Sequence, residues 1–499
     1  MLCMKKQDKR ILCFGGGNMK KSDLKLAISI TNEIEKIGGT VYFVGGYVRD
    51  KFLNLPIKDI DIEIHNVAPY IIEDILKKFG ELQTIGKSFG VYNIKGYDLD
   101  IALPRKEIAA GTGHKDFNIQ VDPYLPLIDS AKRRDFTINA LMENAFTGEI
   151  KDFFGGLDDL KSGIIRHVDN ETFKEDPLRV LRACQFAARF DFKIAPETIE
   201  LCKIMDLSTL PKERIAGELT KVLLKADKPS IFFDNMYDCE QTEWFKEVYA
   251  LKGIEQDDEY HPEGNVYNHT MSVIDEASFL FPTGIDNPGR HLPFMLSALC
   301  HDFGKVNTTK MNDKGRICAL DHEITGIPIA NGFLNRIYNN KHYIKYVDNM
   351  IENHMKAHSC FNNNAKVKTT NLLFDKLLYP TDFIHLVYAD SVGHNIESLD
   401  NKQFNIFLCK AMEENSFLTD RYFDYKDRIS EVHITANDLI SMGLKPSPLF
   451  SKVLSKTWDL HLKGVNCTNK AGILKQVAAM LHGEDKKLLL DAIKMSKGS

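Results

Sequence analysis

"VGGYVRDKFLNLPIKDIDIEI", residues 44–64, holds a glycine pair, an Arg-Asp pair and an alternating Asp-x-Asp within one short segment. Strand side chains at i and i+2 share a face, roughly 7 Å apart along the backbone. Asp59 and Asp61 therefore project together, while Ile60, Ile62 and Ile64 turn the other way, toward a core. Two carboxylates on one face suit a pair of Mg²⁺ ions, because hard cations take oxygen ligands. Such a pair can activate an attacking hydroxyl and stabilise a leaving pyrophosphate. Gly45-Gly46 after a strand lets backbone N–H groups come close to phosphate oxygens, and Arg49 lies about one turn into the helix that follows. Each feature alone also fits a tight turn or a half-exposed strand. Their combination at this spacing favours a metal and phosphate site.

Outward from this segment, Leu24–Ile37 has helical periodicity and stops at Gly38-Gly39. "TVYFVGG" predicts a strand, "YVRDKFLNL" a short helix, "DIDIEI" a strand, "APYIIEDILKKFG" a helix, and "VYNI" and "LDIAL" further strands. The alternation up to about residue 155 is that of a small mixed α/β domain around one sheet. From Asp176 onward amphipathic helical patterns dominate, and the block from about 240 to 400 carries most of the 16 histidines.

With 499 residues the chain is too long for a single core. A net charge of -5 means that any surface for nucleic acid must be locally basic. Ten cysteines without a C-x-x-C pair suggest reduced thiols in a cytoplasm-like compartment. No apolar run approaches transmembrane length, the N-terminus lacks a signal h-region, and Gly15–Gly17 reads as a flexible leader.

Three further segments extend the pattern. "GYDLDIALPRKE" offers Asp100, Arg105 and Glu107; "DSAKRRDFTINAL" carries Arg133, Arg134, Asp135 and Asn139; "EDPLRVLRACQFAARF" carries Asp176, Arg179 and Arg182. In this order the segments resemble the class II tRNA nucleotidyltransferase and bacterial poly(A) polymerase family, from about Val41 to Leu224. The resemblance implies template-independent addition of C, C and A to the tRNA 3′ end from CTP and ATP, or polyadenylation. It implies an α+β chain: a polymerase-beta-like nucleotidyltransferase head, then all-α neck, HD and tail regions. The expected divisions are 22–160 for the head, 161–235 for the neck, 236–410 for the HD region and 411–499 for a helical tail that binds tRNA. By the same resemblance Asp59 and Asp61 hold catalytic Mg²⁺ and Asp100 is the third acid, near the RNA 3′-hydroxyl. Gly45, Gly46 and Arg49 meet the triphosphate, Arg134 the sugar or phosphates, and "LPRKE" is a flexible-loop motif.

Without a template, side chains must read the base edge. The resemblance gives that task to Asp176 and Arg179, with Arg182 on the same basic helical stripe. Asp176-Pro177 is equally a good helix start, with Asp as N-cap and Pro at N1, so the carboxylate can be shared between the two roles. The chain departs from the family at Gln185, where arginine is usual.

A second constellation follows. His269, then His301-Asp302 in "ALCHDFGK", then Asp390 resemble the HD-domain metal phosphohydrolases, and His322 and His354 fall between them. Imidazole with carboxylate suits a transition-type divalent metal that polarises phosphate; His322 and His354 could complete a second metal site. His261 fits either a substrate contact or a helix start. An HD phosphodiesterase whose head only binds RNA is the alternative from another class. Three intact head acids argue against it.

Overall fold

The computed structural model describes residues 21–57, 59–83, 90–109, 117–281, 288–393, 401–430, 433–465 and 469–495; Gly15–Gly17 lie outside them. Two compact units divide the chain, one up to Trp244 and the other from Phe245 onward.

The first unit starts with helix α1 (Lys21–Glu35), which packs on strand β1 (Thr40–Val44) after a turn through Gly38 at φ +82°. Gly45 stands at φ +64°, a region open to glycine at little cost. It launches the short helix α2 (Gly46–Phe52) from the end of β1. Strand β2 (Ile60–His65) then returns antiparallel to β1, pairing Phe43 with Ile62. Ile60, Ile62 and Ile64 are at most 1% exposed, whereas Asp59 is exposed and Asp61 half-buried. Truncating a buried isoleucine costs about 2–5 kcal/mol, so the alternation pins the register: a one-residue slip would bury the acids and expose the isoleucines.

Helix α3 (Pro69–Leu76) is followed by β3 (Leu82–Gln83), β4 (Val91–Ile94) and β5 (Leu99–Ala102). β5 runs parallel to β2, with Asp61 opposite Asp100. A ribbon of β6 (Arg105–Ala109) and β7 (Phe117–Val121) leads to α4 (Leu127–Lys132), a 3-10 turn at Thr137–Asn139, β8 (Met142–Asn144) and β9 (Ile150–Lys151). Within "LPRKE" the backbone from Arg105 to Glu107 is thus a paired strand, and the Glu107 side chain lies outside the described residues. The main sheet has the order β3-β4-β5-β2-β1-β8-β9. The helical part of this unit comprises α5 (Gly156–Ser162), α6 (Asn170–Lys174), α7 (Leu178–Phe190), α8 (Pro196–Lys203), α9 (Lys212–Lys225) and α10 (Ser230–Asp238). Two short strands, β10 (Ile164–Ile165) and β11 (Lys193–Ile194), pair in parallel there, and α7 packs against α9 and α10.

The second unit is helical apart from one hairpin. Its elements are α11 (Lys246–Tyr249), α12 (Val266–Leu280), α13 (Pro288–Cys300), α14 (Lys305–Thr308), the β12 (Thr309–Met311)–β13 (Ile317–Ala319) hairpin, α15 (His322–Ile337) and α16 (Lys341–Asn362). They are followed by α17 (Val367–Lys376), α18 (Pro380–Val392) and α19 (Asn401–Ser430). α12, α13, α16 and α18 pack together, so residues far apart in sequence can face one cavity. The last helices, α20 (Ala436–Ser441), α21 (Pro448–Leu462), α22 (Lys470–Ala479) and α23 (Gly483–Met495), share their own core around Leu439, Val453, Ile473, Val477 and Leu489. No described helix is long and apolar enough to cross a membrane.

Candidate functional site

In the first unit, the end of β1 and the paired strands β2 and β5 converge on one corner. A Cβ at Gly45 would lie 3.3 Å from Arg134 Nη1 and 3.5 Å from Asp61 Oδ2, so the absence of a side chain keeps this corner open. Burial first, then Asp100 and Asp59, push the Asp61 carboxyl up to about 6, with Arg134 and Arg49 pulling the other way. Acids crowded until one resists ionising are what a divalent cation relieves. The donor set of Asp59, Asp61 and Asp100 fits a hard metal. Asp100 also accepts from the amide of Asn93 on β4.

Arg134 faces this corner with Nη1, while its Nε is buried and has no hydrogen-bond partner among the described residues. Its Nη2 lies 3.4 Å from Glu63, the next residue on the Asp61 face of β2. Glu63 is buried, accepts from Ser130 Oγ at 2.5 Å and meets His65 Nε2 at 2.7 Å. Burial alone would raise its carboxyl, but His65, Arg134 and Ser130 outweigh it and hold the group down to about 2. A depressed carboxylate stabilises the fold fully above its ordinary 4.5, and that contribution disappears as pH falls through 2. The shift corresponds to about 3 kcal/mol. Thermal melts from pH 5 to pH 2 should therefore fall less steeply in Glu63→Gln than in the parent; parallel curves would contradict the assignment.

Arg49 is turned differently. It is buried, bonds Asp50 and Asn139 Oδ1 at 2.7 Å, and lies over the rings of Phe186 and Phe190. Asn139 in turn donates to Asp135, which receives Nε of Arg182 at 2.7 Å. The "RRDFTIN" segment thus ties α2 to α7. Asp176 splits its oxygens: Oδ1 accepts the Leu178 N–H at 3.0 Å and Oδ2 the Arg214 guanidinium at 2.8 Å. Arg179 donates to the carbonyls of Thr172 and Arg133. Gln185 is buried on α7, its amide nitrogen without a hydrogen-bond partner among the described residues.

In the second unit, six predicted groups meet. His269 Nε2 is 2.9 Å from Asp390 Oδ1, His301 Nε2 is 3.3 Å from Asp302 Oδ2, and His322 Nε2 is 3.2 Å from Asp302 Oδ1. His322 and His354 bring their Nε2 atoms within 3.1 Å. His301, His322 and His354 each direct Nδ1 at the carbonyl three residues earlier, on Ala298, Ala319 and Ile351. A carbonyl only accepts, so Nδ1 carries a proton in each ring and Nε2 is the atom turned inward as a possible ligand. Ligand atoms of His269, His301 and Asp302 lie within 4.8 Å of one another, and so do those of Asp302, His322 and His354. His301 Nε2 is buried without a hydrogen-bond partner among the described residues. Burial lowers the His301 imidazole, but Asp302 and Asp390 override it and raise it to about 10. Burial drives His354 down to about 3. A proton is held where a cation would fit, and these donors suit a transition-type divalent ion.

Several neighbours were not among the predicted residues. Glu263 lies 2.9 Å from His269 Nδ1, Lys305 Nζ 2.7 Å from Asp302, and His358 bridges Asp390 at 3.0 Å and Glu414 at 2.9 Å. His358 was legible as the i+4 neighbour of His354 on one helix face. Apart from His301 and Glu263, these groups line a cavity of about 410 Å³, bordered by Tyr260, His261, Leu320, Phe407 and Lys410.

Residues 41–166 match the family described as the Poly A polymerase head domain. A Multifunctional CCA protein of Mannheimia succiniciproducens is 35% identical over 344 residues, covering 67% of this chain and 78% of that protein. The chain belongs to this CCA-protein family. A CCA-family homologue from Pasteurella multocida, also a Multifunctional CCA protein, is 39% identical over 278 residues, 54% of this chain and 64% of its own length. The chain thus spans slightly under two thirds of that relative. A CCA-adding enzyme in its apo form II shares the fold at a TM-score of 0.63 with 21% identity, covering 96% of this chain and 99% of that one. The Thermotoga maritima CCA-adding enzyme complexed with tRNA gives a TM-score of 0.60 at 21% identity, over 93% and 97% of the two chains. Nucleotidyltransferases of the CCA family use divalent metal, in keeping with the acids of β2 and β5.

Proposed function

We propose that the chain is a template-independent RNA nucleotidyltransferase that adds C, C and A to the 3′ end of tRNA from CTP and ATP, in the cytoplasm. The observation that carries the reading is the in-register Asp61–Asp100 pair beside Gly45 and Arg134. Similar solved structures include CCA-adding enzymes complexed with ATP, with CTP and with tRNA. Mg²⁺ held by Asp59 and Asp61 would supply the charge neutralisation and hydroxyl activation that phosphoryl transfer requires. Gly45 and Gly46 leave room for the triphosphate, Arg134 offers it the Nη1 that stands beside Gly45, and Asp100 faces the 3′-hydroxyl. Arg49 acts in this reading by fixing α2 under the phosphates.

Base choice rests with Asp176 and Arg179, which must release Arg214 and the two backbone carbonyls to meet a nucleotide. Arg182 and its Asp135 partner hold α7 against the head. Arg179→Ala should therefore lower the preference for CTP and ATP over UTP and GTP by about 10-fold or more, the scale of one charged hydrogen bond, with a smaller loss of rate. Unchanged preference would leave Asp176-Pro177 as a helix start alone. The head at 22–160, neck at 161–235, HD domain at 236–410 and tRNA-binding tail at 411–499 are the divisions of labour.

The second unit is proposed as an HD phosphohydrolase acting on phosphate esters or 2′,3′-cyclic phosphates. His269, His301, Asp302 and Asp390 would hold one transition-type metal, and Asp302, His322 and His354 a second. Free thiols at every described cysteine fit a reducing compartment.

The test uses tRNA lacking its CCA end. CTP alone should extend it by two residues, and CTP with ATP by three. Long A tails from ATP alone would favour the poly(A) polymerase reading instead.

A further inference from the structure

We propose that Glu63 is a positioning residue for the nucleotide site, setting the Arg134 guanidinium between Gly45 and Asp61. The proposal rests on the reading of this corner as the triphosphate site. Its basis is how Glu63 divides its two oxygens. Oε1 is shared by Ser130 Oγ at 2.5 Å and His65 Nε2 at 2.7 Å, both anchored in the protein interior. Oε2 is left to face Arg134 Nη2 at 3.4 Å. One oxygen fastens the carboxylate to the scaffold and the other aims the guanidinium.

The consequences for Arg134 follow from its other two nitrogens. Nη1 stands beside the position a Cβ would take on Gly45, at 3.3 Å, and Nε is buried with no hydrogen-bond partner among the described residues. A guanidinium is planar with donors in a fixed fork. Tethering one nitrogen therefore fixes the direction of the others. With Nη2 on Glu63, Nη1 is presented toward the space next to Gly45 and Asp61. Freed from Glu63, the same side chain has the Asp61 carboxylate as a competing partner, and phosphate would have to displace it.

The strand pattern gives the device its origin. Asp59, Asp61 and Glu63 alternate on one face of the β2 segment, so a single strand supplies both the acids for metal and the anchor for the cation beside them. Ser130 comes from α4 and Arg134 from just beyond it, so the same short stretch supplies the clamp and the clamped residue.

Glu63→Gln separates this role from a structural one. The amide oxygen can still accept from Ser130 and His65, but the NH₂ that replaces Oε2 cannot accept from Arg134. Equilibrium binding of CTP and of ATP to the full chain with Mg²⁺, together with steady-state CCA addition, should show both nucleotides weakened by a similar factor of about 10. kcat should change much less. Arg134→Ala should give a comparable loss, and the double variant no further loss, because the two act through one contact. Additive losses, or unchanged binding in Glu63→Gln with only a lowered melting temperature, would overturn the proposal and leave Glu63 as a structural partner of His65. If Arg134→Ala binds both nucleotides normally, Arg134 is not a phosphate ligand and the proposal falls with that assignment. If the parent chain binds neither nucleotide, the nucleotide reading of the corner itself is wrong.

Discussion

Asp61→Asn should reduce nucleotide incorporation into tRNA by at least about 10²–10³-fold, the loss typical of deleting one transition-state-stabilising group. Asp61 is half-buried, opposite Asp100 across the β2–β5 pair, and its carboxyl is pushed up to about 6 by burial and by the neighbouring acids. For an acid whose folded-state value is raised, ionisation opposes folding above that value, and the penalty vanishes below the ordinary 3.8. Removing the charge should therefore leave the melting temperature at neutral pH, without divalent cation, unchanged or raised. A residue that lowers stability and is indispensable to turnover is the pattern of a functional site. Retained incorporation in Asp61→Asn would remove the two-metal assignment. A large drop in melting temperature would instead make Asp61 a structural residue.

The second large effect is expected at Asp302. It is shared by the two three-residue groups, with Oδ2 near His301 and Oδ1 near His322, and it neutralises the buried Lys305. Asp302→Asn should strip divalent metal from the second unit and abolish hydrolysis of phosphate esters or 2′,3′-cyclic phosphates, while CCA addition continues. Leaving Lys305 without its carboxylate is itself costly, about 3–5 kcal/mol for a broken buried pair, so a folding defect must be separated from metal loss. His354→Gln makes that separation. Its ring sits on the other side of Asp302, near His322, and its loss should lower bound metal per chain, measured by elemental analysis, without disturbing Lys305. Full metal occupancy in both variants would contradict the centre.

What the sequence made legible follows from how local each constraint is. Alternation of Asp and Ile is a property of consecutive residues, so the two faces of β2 are legible in the order of the residues themselves. The same alternation extends to Glu63, whose partnership with Arg134 needed the fold, because Ser130 and Arg134 reach it from another element. The order of His269, His301-Asp302 and Asp390 was visible as a pattern, and α12, α13 and α18 bring the groups together. Glu414 was not visible: it lies on α19 with no spacing rule linking it to His358. The occupied donors of Arg179 were likewise hidden, since backbone carbonyls of Thr172 and Arg133 leave no signature in side-chain identity. Asp176 stands one residue before the N-cap, which is Pro177 rather than Asp176 as the sequence suggested; its Oδ1 accepts the Leu178 N–H at the helix start and its Oδ2 holds the Arg214 guanidinium.

The proposed function requires that side chains alone choose C, C and A in order. Sequencing the 3′ ends of tRNA that lacks CCA, after incubation with the purified chain, Mg²⁺ and all four nucleoside triphosphates together, addresses it directly. The ends should read CCA and extend no further. Mixed additions, runs of A, or tRNA returned without any added residue would contradict that function.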